Sequence, residues 1–475
     1  MASLKKKLSL FDTTNIAIGG IVGADIYVVS AITAGILGPV SVLAWIVGGI
    51  LAIVLALVFA YSSFYLPRVG GPFAYVSSAF DKFYGFIAGW SLWIAEVAAL
   101  AVFPVAFVNY LQYFIPLTFL WSTVVKFLFI SALTSVNIFG VKAAGRTNDV
   151  LTILKLSPLL LLTIAGIYSL FADPAGFLNN YSPLAPFGLN INNFGAALVL
   201  VIWAYAGFEL TTLPADEIKD PRRTIPKAII IGIISVSIFY VLINFVVYGS
   251  VNYHVLQNTK TPLVLAGTAL MGLAGAIIMS LGGMLCVSGT DESGVLGTAR
   301  LSYAMSIHGL FPRAFSKLHK KYKTPYMSLI LQAVIAFIAC IYSGISSLIS
   351  FSVFTLAFAF LLTSASLIVL QRRSKTKFFG EGLIPIAAIL ICIYLLWSSG
   401  FYEKILGSLF ILAGVPIYMN FTTKEDVYHL KKLFLSEESL LERRLSPRNR
   451  FLANFIHIIY RVYRKTERHL FKVAG

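Results

Sequence analysis

Six ionisable side chains stand where apolar sequence should exclude them. Asp25, Glu96, Glu209, Asp291 and Glu292 are acids and Lys155 is the one deep base, each inside a run apolar enough to cross a membrane. A charge at the bilayer centre costs roughly 2.5–3.5 kcal/mol on insertion scales, so such residues turn toward protein or a polar cavity and mark function. The excess of acid over base points to a cationic ligand that completes the balance. Two of the acids adjoin glycines. Asn15-Ile-Ala-Ile-Gly-Gly-Ile-Val-Gly-Ala-Asp-Ile-Tyr-Val-Val holds Gly19, Gly20, Gly23, Ala24 and Asp25, and Trp203-Ala-Tyr-Ala-Gly-Phe-Glu-Leu-Thr-Thr holds Ala206, Gly207, Phe208 and Glu209. A glycine inside a helix costs up to about 1 kcal/mol relative to alanine. Both stretches therefore predict a local helix break whose unpaired backbone groups line a cavity within the protein.

These nine residues and Glu96 are the expected substrate-binding set, with Asp25 and Glu209 receiving an ammonium group. Glu96 follows Trp90 and Trp93 and either meets the far end of an extended diamine or faces a partner helix. Tyr27, Trp203, Tyr205 and Phe208 offer rings for stacking on a cation. In a chain that is 14% aromatic a single ring is usually packing, so only Phe208, beside the second break, enters the set. Asp291 and Glu292 follow Ser288 and Thr290 and, being adjacent, cannot both point the same way on a helix. Burial disfavours the ammonium form of Lys155, which suits a lysine that loads and releases a proton as the cavity changes access. Lys155, Ser288, Thr290 and Asp291 form the expected proton-coupling set.

The elements that must position these groups are transmembrane helices. The chain has 475 residues, 58% hydrophobic and 12% charged, with a mean hydropathy of +0.85. That composition describes one polytopic membrane bundle, with no soluble domain of useful size left over. Twelve spans are read at about 14–36, 40–64, 81–114, 120–140, 149–171, 192–216, 228–250, 268–306, 326–343, 347–370, 382–399 and 402–420. The two glycine-and-acid interruptions fall in spans 1 and 6, at corresponding places in two halves, as in transporters built from inverted repeats with a midplane site. Glycines that merely allow close helix packing are the plainer reading, but packing does not require the acids beside them. The longest outer connections, near 172–191 and 251–267, are rich in Pro and Asn and suit irregular loops.

The net charge of +17 encodes orientation rather than nucleic-acid binding. Alternating sides at each span puts 20 basic residues before the tail on one face, from Lys5, Lys6 and Lys7 to Lys377, against Lys260 and Lys404 on the other. By the positive-inside rule both termini are cytoplasmic. The lysines before span 1 resemble the start of a signal peptide, but the apolar run is too long and no convincing cleavage site follows, so it is expected to remain as an anchor. Cys286, Cys340 and Cys392 lie in apolar spans and read as packing residues, not a disulfide framework. No metal-spaced histidines or phosphate-binding glycine loop is found, so neither cofactor nor metal is expected. Beyond Thr422 the composition changes, and Phe451-Leu-Ala-Asn-Phe-Ile-His-Ile-Ile-Tyr-Arg-Val-Tyr-Arg-Lys reads either as an interfacial helix on anionic lipid or as a solvated tail.

With these residues in view, the chain from about 12 to 370 resembles the amino acid, polyamine and organocation (APC) permease superfamily. Three stretches carry the likeness. Gly23-Ala24-Asp25 resembles the family's Gly-x-Gly break. Tyr205-Ala-Gly-Phe-Glu through Asp216-Glu-Ile-Lys-Asp-Pro-Arg-Arg-Thr-Ile-Pro-Lys resembles the sixth span and the loop after it. Ser288-Gly-Thr through Ala299-Arg-Leu-Ser-Tyr-Ala-Met-Ser-Ile-His-Gly-Leu-Phe-Pro resembles the eighth span and its exit. The resemblance implies an all-α leucine-transporter-type fold of about twelve helices. Residues 1–13 would be a cytoplasmic N-terminus, 14–171 and 192–370 two inverted five-helix repeats, 382–420 two peripheral spans, and 421–475 a basic amphipathic tail. It also implies that the Lys155 ammonium stands where sodium-coupled relatives bind sodium, either titrating or bridging spans 1, 5 and 8 permanently. Amino-acid-carrying members usually have glycine where this chain has Asp25, and exposed amides there receive the substrate carboxylate. A carboxylate in that place repels an anion and attracts an ammonium group. Ala98 to Leu111, especially Phe103-Pro104-Val105 and Asn109-Tyr110, is similar to the polyamine-uptake branch. The expected protein is a proton-coupled secondary transporter of the plasma or inner membrane, not an enzyme, carrying an amino acid or a related organic amine and, more narrowly, a cationic amine or polyamine. An ordinary amino acid is the alternative and a channel the remote one.

Overall fold

The computed structural model of the chain describes residues 8–68, 70–139, 145–213, 215, 218–374, 376, 380–423 and 426–427, with side chains undescribed at 145–151 and 153. Met1–Phe421 forms one compact unit and Thr422–Gly475 a second. Lys5–Lys7, Asp216, Glu217 and nearly all of the expected amphipathic tail lie outside the described residues.

Sixteen α-helices and no named strand occur among the described residues: α1 (Leu10–Ile21), α2 (Ala24–Leu37), α3 (Ser41–Tyr65), α4 (Pro72–Ala79), α5 (Lys82–Leu111), α6 (Phe119–Phe139), α7 (Gly145–Ala172), α8 (Pro174–Asn179), α9 (Ile191–Tyr205), α10 (Pro221–Ser250), α11 (Tyr253–Leu256), α12 (Pro262–Ile307), α13 (Tyr326–Tyr342), α14 (Ile345–Arg373), α15 (Leu383–Ser398) and α16 (Phe401–Phe421). Among the described residues, nine apolar stretches are long enough to cross a bilayer, the first of which runs from Leu10 to Tyr65 and holds two crossings, and α13 and α15 are shorter apolar helices. The protein is a multi-span all-α membrane protein, each helix satisfying its own backbone within the segment as lipid requires.

Local chemistry starts these helices. Ser9 caps α1 in a reciprocal box, its amide donating to Asp12 Oδ2 at 2.8 Å while the Asp12 amide donates to Ser9 Oγ at 3.3 Å. Asp81 and Asn190 cap α5 and α9 by accepting the amides of Tyr84 and Asn193. The connections expected to be irregular hold the short helices α8 and α11. Pro174 and the Asp173 cap begin one and the Asn252 cap begins the other, so the residues read as loop formers serve as helix starters.

In the core, α3 packs along α10, and α5 lies between α12 and α14. The first ten residues of α12 form a separate piece, since Gly272 breaks it with φ +63°. The remainder of α12 packs on α7 and α5. Span 1 is thus α1 and α2 joined across an interruption, and α1 lies against α10 and the segment after α9.

Candidate functional site

The first break is built from Val22 and Gly23. The Val22 amide still reaches Ile18 O at 2.9 Å, but Val22 (ψ 108°) and Gly23 (φ −148°, ψ −145°) are extended, and α2 restarts at Ala24. Asp25 then caps its own helix. Its Oδ1 accepts the Gly23 amide at 2.6 Å, and its Oδ2 accepts the Tyr240 hydroxyl from α10. A carboxylate here meets the positive end of α2 and satisfies an amide that would otherwise be orphaned.

The second break uses the same device. α9 ends at Tyr205, Ala206 is extended (ψ 162°), Gly207 takes φ +117°, and Phe208–Thr212 forms a 3₁₀ turn. The Gly207 amide donates to both Glu209 oxygens, at 3.0 and 2.9 Å. Each break is therefore a glycine whose N–H is received by an acid two residues on. The breaks also touch, since a Cβ on Gly207 would lie 2.3 Å from Gly20 O and 2.6 Å from Gly20 C.

Carbonyls freed by the first break find donors on other helices. Lys155 Nζ, buried on α7, donates to Gly19 O at 2.6 Å and to Thr290 Oγ1 at 2.9 Å. Thr290, on α12, donates to Val22 O at 2.6 Å. The Cys286 Sγ lies 3.7 Å from both Val22 O and Gly23 O. Lys155 thus ties α1, α7 and α12 together through hydrogen bonds to neutral oxygens, with the Asp25 and Glu292 carboxyls near enough to act on its charge.

Beside the breaks is a cavity of about 50 Å³ lined by Gly20, Ile21, Asp25, Glu96, Ala99, Leu100, Phe103, Trp203, Ala206, Gly207, Glu209, Leu210, Thr290, Gly294, Ser352 and Leu356. Among the described residues, three acids and no basic side chain border it. Glu96 faces Glu209 within hydrogen-bonding reach, and two acids so placed need a proton or a cation between them. Phe103 and Trp203 form an aromatic wall, ring centres 6.4 Å apart.

The structure brings Gly20, Asp25, Glu96, Ala206, Gly207 and Glu209 to this cavity, with Thr290 at its edge. Gly19 contributes its carbonyl to Lys155, Gly23 its amide to Asp25, and Ala24 is buried in the first turn of α2. Phe208 is elsewhere, packed between Phe59 and Phe360 at 5.5 and 5.7 Å. Ser288 donates to Met284 O one turn back on its own helix. Asp291 borders a separate, smaller cavity against α6 and α13. The sequence carries no signal for Tyr240, and it offers Cys286 only as a packing residue. Nothing marks Tyr240 in Ser237-Ile-Phe-Tyr-Val-Leu, whereas the repeated glycine-x-acid spacing of Gly23-Ala24-Asp25 and Gly207-Phe208-Glu209 is visible and points to the shared capping.

A family model described as amino acid permease matches residues 8–423. The chain is 27% identical over 455 residues to the branched-chain amino acid permease BcaP of Bacillus subtilis (strain 168), covering 89% of this chain and 94% of the relative. It is 26% identical over 457 residues to a methylthioribose transporter of the same organism, covering 90% and 95%. It is 27% identical over 433 residues to the human cystine/glutamate transporter, covering 88% and 85%.

Proposed function

The chain belongs to the amino acid permease family, whose members are transporters rather than enzymes, and we propose that within it this protein is a proton-coupled secondary transporter of a cationic amine or polyamine. The observation that carries this reading is the cavity wall, which among the described residues presents Asp25, Glu96 and Glu209 and no basic side chain. Both break amides, the natural receivers of a substrate carboxylate, already hold carboxylates of the chain itself. An incoming anion would displace them and meet three acids, whereas an ammonium group completes the charge balance. Phe103 and Trp203 supply apolar and π surface for an alkyl chain or its charged end. Within this reading, Glu96 and Glu209, which lie within reach of each other, together neutralise one end of the ligand and Asp25 the other.

Proton coupling rests on Lys155. Its ammonium donates to Gly19 O and Thr290 Oγ1, so loss of its proton removes the charge that fastens α1 to α12 and frees span 1 to move. The matching breaks in spans 1 and 6 support two inverted five-helix repeats, 14–171 and 192–370, followed by peripheral spans at 382–420. The distribution of Lys and Arg supports cytoplasmic termini in a plasma or inner membrane, with the basic tail against anionic lipid.

A second reading, an amino acid as cargo, is favoured by the relatives named for amino acids, although the methylthioribose transporter shows that similar chains also carry other compounds. Proteoliposome uptake of labelled putrescine, arginine and leucine, with and without a proton gradient, separates the two. Gradient-driven putrescine uptake is expected. Saturable leucine uptake without competition from amines would overturn the amine reading.

A further inference from the structure

Behind the α5 wall of the substrate cavity lies the second cavity, about 10 Å³, lined by Leu100, Ile130, Leu133, Thr134, Asp291, Val295, Gln332, Ala333 and Ala336. Three of its lining residues are polar. Asp291 on α12 is 2% exposed and its Oδ1 has no hydrogen-bond partner. Gln332 on α13 is 1% exposed, and its Oε1 also has none. The Gln332 amide is oriented by its other end, since Nε2 donates to Val295 O at 2.7 Å. It therefore presents an acceptor, not a donor, on the side that remains. Thr134 on α6 is the third, and its hydroxyl is a further oxygen. With Asp291 ionised, the two unpartnered acceptors beside one void cannot satisfy each other, and a buried carboxylate is costly without a counter-charge.

We propose that Asp291, Gln332 and Thr134 form a binding site for one alkali-metal cation of about sodium size, separate from the Lys155 bridge. The donors are all oxygen, which suits a hard cation rather than a thiolate- or imidazole-seeking one. One carboxylate balances a single positive charge. The void has the dimension of one water or small ion. Leu100 borders both cavities, so an ion bound here touches the residue that closes the back of the substrate cavity. Occupancy would brace α6, α12 and α13 against α5 and link ion binding to the shape of the substrate site. This assignment does not depend on which compound the protein carries.

The test uses the full-length protein purified in detergent. Thermal stability is measured in sodium, potassium and choline chloride at equal ionic strength and constant pH, and binding of radioactive sodium is measured directly. Sodium is expected to raise the melting temperature above that in choline and to bind saturably. Asp291→Asn is expected to abolish both effects, and Thr134→Val, which keeps the volume, to raise the half-saturating sodium concentration about tenfold through loss of one oxygen. Should Asp291→Asn not fold, Thr134→Val carries the test alone. Absence of saturable sodium binding by the unaltered protein would overturn the proposal and leave Asp291 as a carboxylic acid donating to Gln332. Sodium binding unchanged in both variants would overturn it as well.

Discussion

Replacing Gly207 with Ala tests whether contact between the two helix breaks builds the substrate cavity. At φ +117° an L-residue is strained, at a cost of order 1–3 kcal/mol. The added methyl would stand 2.3 Å from Gly20 O, 2.6 Å from Gly20 C and 3.0 Å from Ile21 N, all backbone atoms that no rotamer change can clear. Relieving the shortest of these to 3.0 Å requires the breaks to part by about 0.7 Å, and such overpacking adds typically 1–3 kcal/mol. The sum, about 2–6 kcal/mol, falls on the contact between the two breaks that carry Asp25 and Glu209. Gly20→Ala is milder, because its methyl would meet Gly207 O at 3.1 Å, and Gly289→Ala meets nothing within 4 Å. Uptake into proteoliposomes and detergent melting temperature should therefore fall in the order Gly289→Ala, Gly20→Ala, Gly207→Ala, with Gly207→Ala close to inactive. If Gly207→Ala transports as well as the unaltered protein, the break-to-break contact does not set the site and the reasoning fails.

Other expectations concern charge. Lys155→Ala should abolish uptake driven by a pH gradient while retaining part of the counterflow exchange, and unchanged pH dependence of uptake in the variant would remove the titrating role. Asp25→Gly should weaken amine transport about tenfold or more, the equivalent of one lost contact of 1.4 kcal/mol, and admit a zwitterionic amino acid to the freed α2 amides, as competition assays with both solutes would show. Glu96→Gln should weaken a diamine roughly tenfold more than a monoamine of equal length, because a charge-assisted hydrogen bond contributes about 1.5–3 kcal/mol. Equal effects on the two amines would place Glu96 away from the far ammonium.

Much of this was legible in the sequence because membrane chemistry is strict. An acid or a run of glycines inside an apolar span is expensive, so Asp25, Glu209, Lys155 and the two breaks announce themselves without a structure. The fold class follows from span length and hydropathy, and the family from motifs along the chain. Phe208 shows where such reasoning runs out. It lies next to a break in sequence, yet the tight 3₁₀ turn from Phe208 to Thr212 carries its ring toward Phe59 and Phe360 instead of the cavity. Ser288 and Asp291 likewise share α12 with Thr290, but their helical phase aims only Thr290 at the Lys155 bridge.

Sequence by itself determined that the chain spans a membrane many times, where spans 1 and 6 break, and which acids and lysine stand inside apolar runs, but not the break at Gly272. Only the tertiary structure decided what meets those charges. Tyr240 reaches Asp25 across 215 residues, and Lys155 reaches Gly19 across 136. In a bilayer the lipid-facing and protein-facing sides of a helix are both apolar, so no amphipathic stripe in the sequence announces which neighbour a given face will find.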